Sequence, residues 1–245
     1  MAHLKVACLG GSFNPIHNGH LALAKYLLAE EGFNQVWLIL AKQAPLKNET
    51  QVSFEHRLAM IHLAIDSISS LKVCTIEKDM PIPSYTIDTV NQLQQLYDHD
   101  FSWVIGADQA KQFHLWKQAD ELLKRIPFYV VAREDYPVET KGFIMLRALS
   151  SASSSRIRQG LSKDTDSKVL HYMIMHHLYD ESILETHLSA KRVIHTISVK
   201  ETALKLINKL DVDKDAMEVA AMYHDVAKNW SLKEAAYWLA LEGID

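Results

Sequence analysis

Two histidines lie three residues apart near the start of the sequence, in the segment GGSFNPIHNGH. Two glycines and a serine precede them at the end of an apolar run. Gly10 and Gly11 let the main chain approach an anion closely, and Ser12 adds a hydroxyl. His17 and His20 can face one ligand if both lie at the start of a helix. Imidazoles placed there can donate to a developing pentavalent phosphorus centre, so the segment favours phosphoryl or nucleotidyl transfer.

Two other interpretations of this histidine pair remain open at this point. The pair can lie on the surface near a helix cap, as two of the thirteen histidines of the chain. It can also belong to a Zn²⁺ site, although no cysteine, aspartate or glutamate lies nearby in the sequence to complete one. Neither alternative accounts for the glycines.

The elements that must position these residues follow from the hydrophobic pattern. Short apolar runs predict strands over 4–10, 35–41, 71–77, 101–107, 128–133 and 143–148. The segments between them carry apolar residues at i, i+3, i+4 and i+7, which is typical of helices with one face on a core. The alternation predicts an α/β fold with a Rossmann-like, doubly wound parallel sheet. Ligands of such sheets bind at the carboxyl ends of the strands, where the histidine segment lies.

The last part of the sequence has a purely helical pattern. Helices are predicted over 166–179, 189–210, 213–228 and 231–242. The charged stretch from Asp180 to Glu185 favours a domain boundary. We therefore expect an α/β domain over 1–181, which contains the histidine segment, and a small all-α segment over 182–245.

Composition and charge narrow the class of protein. The chain has 245 residues, a formal net charge of -4, 48% hydrophobic and 23% charged residues, which is typical of a globular protein. It has no basic stripe for a long nucleic acid. No apolar run approaches the roughly 20 residues that span a bilayer, and the first run is too short for a signal peptide, so we expect no membrane association and a cytoplasmic location. Cys8 and Cys74 lie in apolar runs and are expected to be packed thiols. Nothing in the sequence indicates an oligomeric state.

The histidine segment resembles the (T/S)-x-x-H-x-G-H motif of the nucleotidylyltransferase superfamily, whose members join a nucleoside triphosphate to a phosphate acceptor and release pyrophosphate. The segment ASSSRIR is similar to the second motif of that superfamily, ISSTxIR, with Ala152 in place of Ile and Ser155 in place of Thr. The resemblance implies that His17, His20 and Arg158 are catalytic and that Mg²⁺ enters with ATP. The implied ATP-binding residues are Gly10, Gly11, Ser12, Phe13, Gly106, Asp108, Ser153, Ser154, Ser155 and Ile157.

The middle of the chain resembles a narrower family, the bacterial nicotinate-nucleotide adenylyltransferases. The similar segments are SFEHRLAMIHLAI, PSYTIDTV, VIGADQAKQFHLWKQADELL and FYVVARE. They imply adenylyl transfer from ATP to nicotinate mononucleotide, giving deamido-NAD and pyrophosphate in NAD biosynthesis. Trp116 would stack on the pyridine ring, Ser84 to Thr86 would receive the ring carboxylate, and Asp108 would contact a ribose. The implied mononucleotide-binding residues are Lys47, Ser84, Tyr85, Thr86, Trp116 and Arg133.

One departure from this family follows the second predicted strand. The family commonly has Pro-Pro-His-Lys there, and this chain has Ala44-Pro45-Leu46-Lys47. Lys47 keeps a cation for the phosphates, but the histidine is missing. The alternatives are a nicotinamide-nucleotide adenylyltransferase, a pantetheine-phosphate adenylyltransferase, and a regulator that binds nucleotide without turnover. Retention of both histidines argues against the regulator.

The helical segment resembles the opening of an HD-family metal phosphohydrolase. His195 and the pair His224 and Asp225 match the helical His and the His-Asp pair of that family, which hold metal ions that activate water. The later ligands of the family have no counterpart before Asp245. We therefore expect a partial HD-like domain that is mainly structural and holds a divalent metal weakly if at all. An amphipathic helical tail with incidental histidines is the alternative.

Overall fold

A computed structural model of the chain describes residues 3–43, 52–132, 142–207 and 212–229. Its strands are β1 (Lys5–Gly11), β2 (Gln35–Leu40), β3 (Leu71–Cys74), β4 (Asp100–Gly106), β5 (Phe128–Val131) and β6 (Phe143–Leu146). Its α-helices are α1 (Asn18–Ala29), α2 (Phe54–Ile65), α3 (Thr86–Leu96), α4 (Ala107–Lys111), α5 (Ala119–Arg125), α6 (Ser154–Arg158), α7 (Ser167–Met175), α8 (Asp180–His187), α9 (Ala190–Leu206) and α10 (Lys214–Tyr223). Short 3-10 helices cover Ile76–Asp79, Phe113–Leu115 and Val226–Asn229.

The described strands form one parallel sheet in the order β3-β2-β1-β4-β5-β6. The chain moves outward from β1 to β2 and β3, and then crosses back to place β4 on the other side of β1. The strand order therefore reverses between β1 and β4, which is the doubly wound, Rossmann-like arrangement predicted from the sequence. The predicted fold class is confirmed, and the carboxyl ends of β1 and β4 part at this reversal.

The core covers the central strands β1, β2 and β4 on both faces, as their near-continuous apolar runs require, whereas Ile144 and Met145 of the edge strand β6 are exposed. Val6, Ala7 and Cys8 of β1 are fully buried. Both cysteines are free thiols, Cys8 buried and Cys74 half-buried, so the prediction of packed thiols is confirmed. Burial raises the pKa of the Cys8 thiol well above its usual range.

Several predicted elements end earlier than their sequence patterns suggest, including the strand predicted over 143–148, which ends at Leu146, and the helix predicted over 213–228, which ends at Tyr223. The third strand stops at Cys74, and the chain turns into the 3-10 helix Ile76–Asp79, because Glu77 is drawn into the interior by hydroxyl groups of the following segment. The helix predicted over 166–179 ends at Met175, since His177 and Tyr179 have φ of 51° and 70°. The helix predicted over 231–242 lies outside the described residues.

The chain forms two compact units. The first consists of Met1–Ser154 with Asp164–Val169, and the second of Ser155–Lys163 with Leu170–Asp245. The first unit contains the sheet. The domain limits at 181 and 182 stay a prediction. Among the described residues, no helix is both long enough and apolar enough to cross a bilayer.

The second unit has its own small core and a buried polar centre. Its apolar core is formed by Leu184, Leu188, Met222 and Val226. The buried carboxylate of Asp180 begins α8, accepts a hydrogen bond from the hydroxyl of Tyr223, and lies 2.8 Å from Nδ1 of His177. The charged stretch from 180 onward is thus packed helix with a buried acid at its start.

Candidate functional site

A cavity of about 440 Å³ lies at the carboxyl ends of β1 and β2 and beside the segment that follows β4. We call it the switch-point cavity, because it lies where the strand order reverses. Its lining brings together eight of the residues predicted to bind substrate, namely Gly10, Gly11, Ser12, Ser84, Tyr85, Thr86, Asp108 and Trp116. The predicted ATP segment and the predicted mononucleotide segment therefore face one site.

The two glycines at the end of β1 are required by neighbouring aromatic rings. A Cβ on Gly10 would lie 2.9 Å from the indole of Trp103, and one on Gly11 would lie 3.2 Å from the ring of Phe13. The sequence suggested that these glycines make room for an anion. The structure adds a second reason, since packing alone excludes a side chain at Gly10.

His17 and His20 flank the first turn of α1 and face each other. Their rings stack with centroids 3.7 Å apart and 25° between their planes. The main-chain N–H of His17 donates to Nδ1 of His20 over 3.2 Å. Nδ1 of His20 is therefore an acceptor, so a neutral His20 carries its proton on Nε2. Phe13 contacts the His20 ring edge-on at 5.0 Å between centroids.

The segment that carries His17 is held by hydroxyl groups from far along the chain. Ser154 donates its hydroxyl to the carbonyl oxygen of Pro15 over 2.9 Å, and Thr165 donates to that of Ile16 over 2.8 Å. Ser154 was predicted to bind ATP, and in the structure its hydroxyl positions the main chain beside His17. Thr165 carries no prediction from the sequence and has the same positioning role.

Gly19 completes this segment. A Cβ at this position would lie 3.0 Å from the imidazole of His17 and 3.1 Å from Cβ of Ala152. Both distances are tighter than ordinary contacts, so any other residue would push against the histidine ring or the chain behind it. The glycine of the H-x-G-H pattern is thus explained by close packing around His17.

The remaining residues of the second motif divide between the two units. Ser153 belongs to the first unit, while Ser155, Ile157 and Arg158 belong to the second. Ile157 is buried, and the half-buried Arg158 donates to the hydroxyl of Ser155 over 3.3 Å. This bond holds the guanidinium against its own helical turn.

Gly106 ends β4 and Asp108 lies in the first turn of α4. A Cβ on Gly106 would lie 2.5 Å from Oδ1 of Asp108, so a side chain at Gly106 would displace the carboxylate. Asp108 is exposed and lines the cavity. A carboxylate in this position can accept two hydroxyl hydrogen bonds, as the predicted contact with a ribose requires.

Ser84 makes a contact that its predicted role does not include. Its hydroxyl donates to Oε2 of Glu77 over 2.6 Å, while the hydroxyl of Thr89 donates to Oε1 of the same carboxylate over 2.8 Å. Glu77 is 6% exposed and lines the cavity. Because the Ser84 proton is used by Glu77, a ligand carboxylate here would have to be received by other groups, such as the Thr86 hydroxyl and the main-chain N–H groups at the start of α3.

Trp116 is half-buried on the other side of the cavity. Its ring packs against Phe113 with centroids 5.1 Å apart. Lys117 follows it, and Nζ of Lys117 lies 4.8 Å from the centre of the Tyr85 ring and 2.9 Å from Oδ2 of Asp88. The segment at Trp116 and the start of α3 are therefore joined by one cation that touches an aromatic ring and a carboxylate.

Arg57 is a buried cation whose role the sequence did not suggest. It is 2% exposed, and its guanidinium donates to the carbonyl oxygens of Ser12, Ala41, Lys42 and Val52 at distances of 2.8 to 3.2 Å. The first two carbonyls follow β1 and β2. Arg57 therefore fixes the two loops that form this rim of the cavity.

Sequence comparison assigns the chain to a family. A model of cytidylyltransferase-like domains matches residues 8–160. A nicotinate-nucleotide adenylyltransferase of Bacillus subtilis is 36% identical over 186 residues, which cover 72% of this chain and 98% of the relative. The chain belongs to the nicotinate-nucleotide adenylyltransferase family. The resemblance found in its motifs is thereby confirmed.

Solved structures share the fold of this adenylyltransferase family. A nicotinic acid mononucleotide adenylyltransferase of Plasmodium falciparum, complexed with NaAD, has a TM-score of 0.62 at 20% identity and covers 73% of this chain and 98% of its own. The same protein complexed with APC has a TM-score of 0.60 at the same identity and coverage. At this level of identity the likeness concerns the fold.

Two adenylyltransferase positions predicted to bind the mononucleotide, Lys47 and Arg133, lie outside the described residues, as does the departure at Leu46. Their roles stay predictions. The matched family region ends at residue 160, so the HD-like interpretation of the later helices also stays a prediction.

The later helices nevertheless bring the three predicted metal ligands together. One ligand atom from each of His195, His224 and Asp225 lies within 4.8 Å of the others. Nδ1 of His224 lies 2.7 Å from the carbonyl oxygen of Ala221. A carbonyl can only accept, so a neutral His224 has its proton on Nδ1 and presents Nε2 as a ligand.

Two cations already contact the carboxylate of this cluster. Oδ2 of Asp225 lies 3.1 Å from Arg192, and Oδ1 lies 3.0 Å from Lys228. The hydrogen bond from Lys228, with smaller contributions from His224 and Arg192, holds the pKa of Asp225 below its usual range. A metal ion would have to share this carboxylate with both side chains.

Proposed function

We propose that the protein transfers the adenylyl group of ATP to the phosphate of nicotinate mononucleotide, forming deamido-NAD and pyrophosphate. The observation that carries the proposal is the switch-point cavity, in which the glycine-rich end of β1 and the Ser84–Trp116 side face each other. Membership of the adenylyltransferase family supports the same reaction. In this proposal the nucleoside triphosphate binds at one wall of the cavity and the mononucleotide at the other.

The reaction is an in-line displacement at the α-phosphorus. An oxygen of the acceptor phosphate forms the new P–O bond, and the bond from the α-phosphorus to the bridging oxygen of the β-phosphate breaks. The bond electrons leave with pyrophosphate. Such a transfer needs no covalent enzyme intermediate, so the protein acts by positioning the two phosphates and by neutralising charge.

His17 and His20 are the groups we assign to the reacting phosphates. They lie at the N-terminus of the 12-residue helix α1, where unpaired main-chain N–H groups and the helix dipole favour an anion. The acceptor role of Nδ1 in His20 directs its Nε2 proton away from the main chain. Arg158 is assigned as a third positive group from its place in the second motif.

The ATP side is assigned to the glycine-rich segment, to Asp108 for a ribose, and to the serines of the second motif. When bound with ATP, Mg²⁺ supplies charge neutralisation of the triphosphate. Two carboxylates of the described residues line the cavity, and one of them, Glu77, already accepts hydrogen bonds from two hydroxyl groups. Asp108 is therefore the carboxylate that could contact the Mg²⁺ ion or the ribose. The phosphates of ATP would supply most of the ligands of the ion.

The mononucleotide side is assigned to Trp116 and to the start of α3. An aromatic plane against a cationic pyridinium gains apolar burial and a cation–π contribution of about 0.5 to 2 kcal/mol. The main-chain N–H groups at Tyr85 and Thr86 suit the ring carboxylate. Lys47 and Arg133 are proposed for the phosphate of the mononucleotide.

The test is a pyrophosphate-release assay with ATP and each of three acceptors: nicotinate mononucleotide, nicotinamide mononucleotide and phosphopantetheine. We expect the highest kcat/KM with nicotinate mononucleotide. Preference for phosphopantetheine or for nicotinamide mononucleotide would replace the acceptor named here. Nucleotide binding without release of pyrophosphate from any acceptor would make the protein a nucleotide-binding regulator.

A second proposal concerns the cluster of His195, His224 and Asp225, which we infer to be a weak divalent metal site. Among the residues that the structure describes, three ligands come together, which leaves a metal underfilled, and Arg192 and Lys228 compete for the carboxylate. We expect no metal-dependent hydrolysis of dinucleoside tetraphosphate above background. Titration with Mn²⁺ followed by electron paramagnetic resonance should detect weak binding that His224→Ala removes. Robust hydrolysis by the 245-residue chain would show that further ligands exist.

A further inference from the structure

The charges around the switch-point cavity are unevenly distributed. Of the described residues that line it, three carry formal charges: Glu77, Asp108 and Lys117. Two of these are carboxylates, so without Lys117 this part of the cavity would repel an acidic ligand. Yet nicotinate mononucleotide carries a ring carboxylate in addition to its phosphate. A cation on the side of the cavity that receives the ring would offset this negative charge.

Lys117 is on that side. It follows Trp116 directly, and its ammonium lies over the ring of Tyr85, the residue that precedes α3. Asp88, on the first turn of α3, holds the ammonium at 2.9 Å. Asp88 is not among the residues that line the cavity, whereas Lys117 is. The ammonium of Lys117 therefore lies beside Tyr85, one of the residues whose main-chain N–H groups we assign to the ring carboxylate.

The ammonium can contact a ligand without losing Asp88. A lysine has three N–H donors, and Asp88 and the aromatic face of Tyr85 occupy only part of its surroundings. The side chains of Lys117 and Asp88 are 44% and 41% exposed, so the pair is weak and its geometry can adjust at little cost. A carboxylate of the ligand adds a charge-assisted hydrogen bond. A neutral carboxamide adds a weaker bond.

We propose that Lys117 is a specificity-determining residue, which selects an acceptor whose ring carries a carboxylate over one whose ring carries a carboxamide. The inference rests on the proposed function, because it concerns the acceptor of the same reaction. On this inference, the charge of one side chain explains why the enzyme would prefer nicotinate mononucleotide to nicotinamide mononucleotide.

The experiment measures kcat/KM for both mononucleotides in the full-length protein and in four variants. Lys117→Met removes the charge at similar length, and Lys117→Arg keeps it. Asp88→Asn removes the negative charge of the partner and keeps the positive charge at position 117. Lys111→Met, at an exposed lysine of α4 outside the cavity lining, is the matched control. Thermal unfolding of each variant checks that the fold is retained.

We expect Lys117→Met to lower the ratio of the two kcat/KM values, nicotinate over nicotinamide, about tenfold, as loss of a charge-assisted hydrogen bond implies. Lys117→Arg, Asp88→Asn and Lys111→Met should keep the ratio within about twofold, since the charge at position 117 is retained. The KM for ATP should be similar in the wild type and in all four variants. Rising salt should reduce the ratio in the wild type more than in Lys117→Met.

Three results overturn the inference alone, provided that the wild type uses nicotinate mononucleotide. The first is an unchanged kcat/KM ratio in Lys117→Met, and the second is an equal loss of kcat/KM with both acceptors in that variant. The third is the same fall of the ratio in Asp88→Asn, which would mean that the ion pair acts only by holding the loop. A wild type that adenylylates neither mononucleotide overturns the proposed function itself, and the inference with it.

Discussion

The guanidinium of Arg57 donates a 2.9 Å hydrogen bond to the carbonyl oxygen of Ser12, 45 residues away in the sequence. The same nitrogen donates to Ala41 over 2.8 Å. One buried side chain on α2 thus joins the loops that follow two neighbouring strands, and one of those loops leads to His17. Arg57 therefore helps to hold the segment that leads to His17, although it need not contact a substrate itself.

Arg57→Ala should destabilise the protein by about 3 kcal/mol or more, because it leaves one buried and three partly buried carbonyl groups without their donor. Activity should fall as well, since the loop at Ser12 is released. Urea unfolding measures the first effect and pyrophosphate release the second. Lys25→Ala, at an exposed cation of α1, should leave both unchanged. An unfolding midpoint in Arg57→Ala equal to that of the wild type would contradict the role given to these hydrogen bonds.

His17→Ala and His20→Ala should each lower kcat by about two orders of magnitude or more, the scale of losing a donor that acts in the transition state. Thermal unfolding should show that each variant remains folded. His62→Ala, at an exposed histidine of α2, is the control and should retain the wild-type rate. Full turnover in either of the first two variants would remove that histidine from the mechanism.

Trp116→Ala should mainly raise the KM for the mononucleotide, by about tenfold, because stacking contributes equally to the ground state and the transition state. The KM for ATP should change little. Steady-state kinetics with each substrate varied in turn separates the two constants. If only the KM for ATP rose, the two walls of the cavity would be assigned the wrong way round.

Glu77→Ala should raise the KM for the mononucleotide and lower stability, since the buried hydroxyls of Ser84 and Thr89 lose their shared acceptor. Glu77→Gln keeps one acceptor oxygen and should retain part of the function. Asp79→Asn, at an exposed acid on the same 3-10 helix, should behave as the wild type. Equal kinetics in Glu77→Ala and Asp79→Asn would show that the carboxylate does not position the Ser84 segment.

The Cys8 thiol should make stability depend on alkaline pH. Its pKa is raised in the folded state by burial, so the unfolded chain loses this proton first as pH increases. The contribution is fully present below the unfolded pKa of about 8.5 and is lost above it. Urea midpoints between pH 8 and 10 measure the effect, and Cys8→Ala should reduce the slope. Rapid alkylation of Cys8 in the native protein would contradict its burial.

Features that depend on local sequence patterns could be predicted. The spacing of six apolar runs predicted the sheet, and the H-x-G-H segment was expected to place His17 and His20 at the start of a helix.

Arg57 was missed, although the sequence contains a signal for it. It lies three residues after Phe54 and four before Ile61, on the apolar stripe of α2. A charged residue on a buried face indicates buried partners, but the partners lie in other loops and only the fold identifies them.

Glu77 and Thr165 were beyond the reach of sequence patterns for a related reason. Glu77 ends an apolar run and suits a strand equally well, until Ser84 and Thr89 are placed around it. Thr165 is an ordinary threonine until its hydroxyl reaches Ile16. Side-chain hydrogen bonds over long sequence separations depend on tertiary geometry, which periodicity does not encode.

The hydrogen bonds from Ser154 and Thr165 to Pro15 and Ile16 also set an order of events during synthesis. They span 139 and 149 residues, so a ribosome has made the histidine segment long before it makes the groups that hold it. Closing such long loops is slow and comes late in folding. The first strands can therefore form early in the nascent chain. The segment that carries His17 gains these hydrogen bonds only after residue 165 has been synthesised. The proposed reaction therefore requires that nearly all of the first unit has been synthesised and folded.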